Sequence, residues 1–232
     1  MNDALATAQY FAGTIDRADA QSKPFRHWLL DKALPDDIAR GIPDLPIAAP
    51  NVGDTFGKRE THNSTRVFFS VENRKLYPVC DSVAQALQSP EIVRRLEART
   101  GVNLGGTYLR IEYCQDTEGF WLEPHTDIGA KLYTMLVYLS ETPDADDWGT
   151  DIYDGPETHI GRAPGGFNKG LIFIPAQDTW HGVSKRAYEG VRKSIIVNYV
   201  VPEWRSRHEL AFPDQPVRAP DSLSAQALTV AV

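Results

Sequence analysis

The sequence predicts a mainly β domain with a helical layer at its N-terminal side, and three observations carry that prediction. Before Gly101 most segments read as helices, with apolar residues at spacings of three and four in Val79–Leu87 and Pro90–Thr100, the period of an amphipathic helix. Beyond Gly101 the pattern becomes short β-branched and aromatic runs, with turn clusters such as Asp146-Asp147-Trp148-Gly149 and Ala163-Pro164-Gly165-Gly166. Many short strands with such punctuation specify a sandwich or barrel, jelly rolls among them. The third observation is the order of the elements. Helices first and strands later place the helices on one side of the β-core.

In chain order, Ala4–Ala20 is alanine-rich with spaced apolar residues and reads as a helix. Pro24–Leu34 and Pro35–Gly41 read as short helices, Pro35-Asp36-Asp37 being a good helix start. Leu45–Gly57 is rich in Pro, Gly and Asn and reads as loop. Thr65–Ser70 is β-branched and aromatic, hence a strand. Val79–Leu87 and Pro90–Thr100 return to helical spacing, with Gly101 as the stop. The strands expected after it are Gly106–Tyr113, Phe120–His125, Leu132–Ser140, Thr150–Tyr153, Leu171–Ile174, Thr179–Val183 and Ser194–Val201. One domain is expected over residues 1–212. The tail, 213–232, has few aromatics and several prolines and is expected to be disordered or loosely docked.

Composition narrows the partners. The 232 residues are 42% hydrophobic and carry a net charge of −7, enough apolar material for a core without staples. No run of Lys or Arg is long enough to track a phosphate backbone, so nucleic acid is not the expected partner. Apolar strings such as Leu171–Pro175 and Ile195–Tyr199 fall far short of a membrane span. The start, Met1-Asn2-Asp3-Ala4, lacks the charged and apolar regions of a signal peptide. Cys80 and Cys114 read as buried small hydrophobes in a reducing, hence cytoplasmic, compartment. A monomer or homodimer suits this size.

The chemistry concentrates around Glu123-Pro124-His125-Thr126-Asp127. Side chains at i and i+2 of a strand share a face, so His125 and Asp127 can grip one ion. Pro124 marks a strand end, where side chains can project into a cavity. His181 ends another apolar strand 56 residues downstream, far enough for intervening strands to bring the chain back. Two imidazoles and one carboxylate with other positions open form the ligand set of non-haem Fe(II) oxygenases. His27, His62, His159 and His208 lie in helical, loop or terminal contexts and read as structural or surface residues. Arg192 opens the strand that follows His181 and shares a face with Ser194. A guanidinium fork beside a hydroxyl can hold one carboxylate.

The set His125-x-Asp127, His181, Arg192-x-Ser194 resembles the Fe(II)/2-oxoglutarate-dependent dioxygenase superfamily in its prolyl-hydroxylase-like branch. The resemblance covers about Gly105 to Pro202, and the first 100 residues offer nothing to transfer. It implies a double-stranded β-helix, a jelly-roll or cupin-like core over about 104–202, with the helical layer mostly in 1–100. It implies Fe(II) on His125, Asp127 and His181, with 2-oxoglutarate and O2 as cosubstrates. Arg192, helped by Ser194, would hold the distal carboxylate of 2-oxoglutarate. Tyr138 would add a second hydroxyl there, Tyr113 would face the cosubstrate, and Thr134 shares the face of Tyr138 and is a further candidate. Trp148-Gly149-Thr150-Asp151 stands where many relatives have Gly-Gly, so the shape of that turn is open.

The prime substrate, a small molecule or a peptide, is not legible. Phe120, Trp121, Lys131 and Trp180 are candidates for its pocket, with Arg59 and Arg66 over the mouth. Two other functions remain open on the residues alone. One is a zinc-type hydrolase using the same three ligands and a metal-bound water, which leaves Arg192 and Ser194 without a task. The other is a non-catalytic, cupin-like binding module for a small acid or sugar.

Overall fold

The computed structural model describes residues 4–51, 53–58, 66–186 and 190–218. Two antiparallel sheets form its core. The larger contains β1 (Asp19–Gln21), β2 (His27–Leu30), β3 (Val67–Phe68), β4 (Tyr108–Asp116), β6 (Lys131–Tyr138), β9 (Gly170–Phe173) and β11 (Arg192–Val200). Its strand order is β1-β2-β9-β6-β11-β4-β3. The smaller contains β5 (Leu122–His125), β7 (Asp151–Asp154), β8 (Thr158–Arg162) and β10 (His181–Val183), in the order β5-β10-β7-β8. This is a double-stranded β-helix with helices outside it. Among the described residues no helix is long and apolar enough to cross a membrane.

The helices are α1 (Ala4–Arg17), α2 (Asp36–Gly41), α3 (Val71–Leu76), α4 (Pro78–Gln88) and α5 (Pro90–Thr100). In α1 the buried residues Ala8, Phe11, Ala12 and Ile15 form the stripe that a helical period produces. In α5, Ser89 caps by accepting from the Ile92 amide, Pro90 occupies the first turn, and Gly101 ends the helix at φ 81°. The short α3, absent from the sequence expectations, is capped by Ser70, which accepts from the Asn73 amide.

Period-two alternation sorts the large sheet into two faces. Leu109, Ile111 and Tyr113 of β4, Tyr133, Met135 and Val137 of β6, and Ile195, Val197 and Tyr199 of β11 join the core under the helices. The opposite face packs on the small sheet through Leu136, Tyr138, Leu171 and Phe173 against Ile152. That inner face also carries the polar residues described below.

Two expectations are corrected. The stretch Pro24–Leu34 is not a helix: His27–Leu30 pairs in register with β9, Trp28 opposite Ile172 and Leu29 opposite Leu171. The Trp and Leu side chains that suit a helix also suit this strand, and burial between two layers decides. The tail is not loose at its start. Val217 is 1% exposed, donates its amide to Thr107 and accepts from that of Gly106. Residues 219–232 lie outside the described residues, as do Arg59 and His62.

Candidate metal centre and its cavity

Strands β5 and β10 run antiparallel with His125 directly opposite His181, so the two imidazoles stand side by side, ring centroids 4.4 Å apart. Asp127 follows two residues past His125, just beyond the strand end. One ligand atom from each of His125, Asp127 and His181 lies within 4.8 Å of the others. The backbone selects the binding nitrogen. His125 Nδ1 lies 2.8 Å from the Glu123 carbonyl, and His181 Nδ1 lies 3.0 Å from that of Thr179. A carbonyl only accepts, so each Nδ1 carries the proton and each Nε2 keeps a lone pair.

Electrostatics support the same reading. Burial, with His125 beside it, pushes the His181 imidazole down to about 4, against the pull of Asp127. His181 is therefore a neutral donor at neutral pH. Asp127 is held at both oxygens. Oδ1 accepts from Lys131 Nζ at 2.5 Å, and Oδ2 accepts from Thr134 Oγ1 at 2.7 Å. Asn198 Nδ2 donates to Thr134 Oγ1 at 3.0 Å and steadies that hydroxyl from behind. Two lone-pair nitrogens and an oriented carboxylate fit a first-row divalent ion with sites left for other ligands.

The three residues line an inner cavity together with Arg192, Asp116, Cys114, Thr134 and Thr150. Arg192 lies at β11's start, 4% exposed. Its Nε donates to the Trp148 carbonyl at 2.5 Å, and its Nη1 donates to Asp116 at 2.5 Å. Ser194 shares its strand face between Cys114 and Tyr138. Ser194 Oγ is fully buried and has no hydrogen-bond partner among the described residues. The Tyr138 ring lies under the Arg192 guanidinium at 5.7 Å, and its hydroxyl donates to Thr150 Oγ1 at 2.9 Å.

The Trp148 turn has a clear shape. Gly149 packs so closely that a Cβ there would stand 1.7 Å from the Ala163 carbonyl oxygen, so only glycine fits. Trp148 itself is buried with Phe120, Leu122, Ala145 and Val183.

Not every candidate lies here. Tyr113 points to the opposite face of β4, opposite Ile195, and packs in the core under the helices. It does not line the cavity. Thr134 lines it but bonds Asp127 of the candidate ligand set. Phe120 lines the cavity, whereas Trp121 lies outside it and donates its indole N–H to Asp54 at 2.7 Å. Trp180 lines neither this cavity nor the groove beside it. Arg66 lines the cavity and is ion-paired with Glu112.

The residues missed by the sequence reading are Arg110, Glu112, Cys114, Asp116 and Asn198. The first four alternate with Leu109, Ile111 and Tyr113 along β4, so their shared face is readable from period two. Glu112 is fully buried, and Arg110 reaches it at 2.7 Å. A wider groove opens outward from the ligands, lined by Phe68, Arg110, Ile128, Lys131, Trp204 and Glu209 among others.

No protein-family profile and no curated protein sequence matches the chain. Solved structures do share its fold. A prolyl 4-hydroxylase from Phytophthora capsici superposes with a TM-score of 0.58 at 12% identity, over 87% of this chain and 66% of that one. A prolyl hydroxylase from Trichoplax adhaerens, solved with a hypoxia inducible factor oxygen degradation domain peptide fragment, gives 0.55 at 13% identity, covering 83% and 88%. A Pseudomonas putida prolyl-4-hydroxylase gives 0.51 at 12% identity, covering 84% and 94%. These likenesses bear out the double-stranded β-helix fold. The function of this chain rests on its own site.

Proposed function

We propose that this chain is an Fe(II)- and 2-oxoglutarate-dependent oxygenase that hydroxylates, or otherwise oxidises, an organic substrate. The observation that carries the reading is one cavity holding both the His125, Asp127 and His181 ligand set and a buried arginine. Bound Fe(II) would supply O2 activation coupled to oxidative decarboxylation of the keto acid. The protein's own contribution is positioning. His125 and His181 present Nε2 lone pairs, and Asp127 presents a carboxylate oriented by Thr134. Arg192 would fix the far carboxylate of 2-oxoglutarate by charge-assisted hydrogen bonds, with Ser194 Oγ as a further donor. Phe120, Leu122, Leu136, Val183 and Ile196 wall the cavity with apolar surface, which excludes water from the reacting groups.

The test is 2-oxoglutarate turnover read as succinate release, with and without O2 and across a panel of candidate substrates. Turnover should require both Fe(II) and O2, and His181→Ala or Asp127→Ala should abolish it. Full activity in either variant, or O2-independent hydrolysis with zinc, would end the assignment.

A further inference from the structure

Every cation lining the inner cavity is matched to a buried acid: Arg66 to Glu112, Lys131 to Asp127 and Arg192 to Asp116. The third pair matters most, because it engages the guanidinium assigned to the cosubstrate. Arg192 and Asp116 are direct cross-strand partners on β11 and β4. Their side chains are 5% and 6% exposed, and both line the cavity. With Nε on the Trp148 carbonyl and Nη1 on Asp116, the guanidinium is already held by an acceptor at two positions.

We infer that Asp116 is a positioning residue that sets cosubstrate affinity by competing with the incoming distal carboxylate for Arg192; this rests on the proposed 2-oxoglutarate reading. Without ligand, Asp116 supplies the negative charge that a buried guanidinium requires, and so keeps the clamp in place. When a dicarboxylate keto acid arrives, two carboxylates share one guanidinium in a site of low dielectric. Their repulsion weakens the ligand that depends on Arg192. A keto acid without the distal carboxylate does not meet this competition. Asp116 therefore tunes the preference between dicarboxylate and monocarboxylate keto acids, not the grip on the metal.

The test is calorimetric titration of the Mn(II)-loaded protein with 2-oxoglutarate and, separately, with 2-oxobutanoate. Asp116→Asn keeps the size of the side chain and a hydrogen-bond acceptor for Arg192 while removing the charge. It should bind 2-oxoglutarate about tenfold more tightly than wild type or better, with 2-oxobutanoate affinity unchanged. Asp116→Ser, with folding checked by circular dichroism, should shift the same way if the asparagine variant does not fold. Weaker or equal 2-oxoglutarate affinity in the folded variant would overturn Asp116's part while leaving the keto-acid reading intact. So would an equal change for both ligands. Failure of wild type and variant alike to bind 2-oxoglutarate would overturn the keto-acid reading itself, and this inference with it.

Discussion

Lys131 is the least expected neighbour of the ligand set. Its ammonium lies 2.5 Å from Asp127 Oδ1, with both side chains buried. An arriving dication must share that carboxylate with a positive charge. Lys131→Met is therefore expected to tighten Mn(II) binding by about three- to tenfold, read by calorimetry. Weakened binding would show that the ammonium steadies the site instead. His181 gives a second prediction. Its folded-state value, about 4, lies below the ordinary 6.5, so the unfolded chain takes up the proton first as pH falls. The metal-free protein should lose stability from about pH 6.5 down to about pH 4, and this group adds no further loss below that. The full loss is on the order of 3 kcal/mol. His181→Phe, compared by urea unfolding at both ends of that range, should lose less stability than wild type by that amount. Equal losses would contradict a buried neutral imidazole.

At the scale of the element, β4 shows what alternation can and cannot reveal. Reading Arg192 with Ser194, and Thr134 with Tyr138, as same-face pairs follows from period two, and their strands bear it out. The cosubstrate-facing place of Tyr113 comes from resemblance alone and runs against the phase of its own strand. Leu109, Ile111 and Tyr113 form the apolar row of β4, and Arg110, Glu112, Cys114 and Asp116 the inward one. The pairing of Asp116 with Arg192 needs the register between β4 and β11, which alternation does not fix. The local pattern of β2 suits a helix, because its partner β9 lies about 140 residues away and local pattern carries no trace of it. The inward row has its own test. Glu112 lies between Arg66 and Arg110 with no exposure, so Glu112→Gln removes the buried charge that both guanidiniums face, although Arg110 keeps Glu209. It is expected to destabilise the protein by about 3–5 kcal/mol, measured by urea unfolding. A cost below about 1 kcal/mol would mean that the pairs behave as surface ones.

Across the whole molecule, the large sheet separates two kinds of packing. Its outer face is apolar and covered by α1, α4 and α5, while its inner face meets the small sheet and carries buried charge. The C-terminal stretch belongs to this construction, because Val217 bonds the backbone that leads into β4. Truncation after Phe212 should cost about 2 kcal/mol from lost burial of Val217 and its hydrogen bonds, seen as a lower thermal midpoint. An unchanged midpoint would show that the segment merely lies on the surface.

The most direct test of the account is anaerobic addition of Fe(II) and then 2-oxoglutarate, following the visible metal-to-ligand absorption band. A saturable band is predicted for wild type and its loss in His181→Ala. For Arg192→Met, half-saturation is predicted to move to about tenfold higher 2-oxoglutarate or more. No band in the wild-type protein, or an undiminished one in His181→Ala, would contradict the assignment.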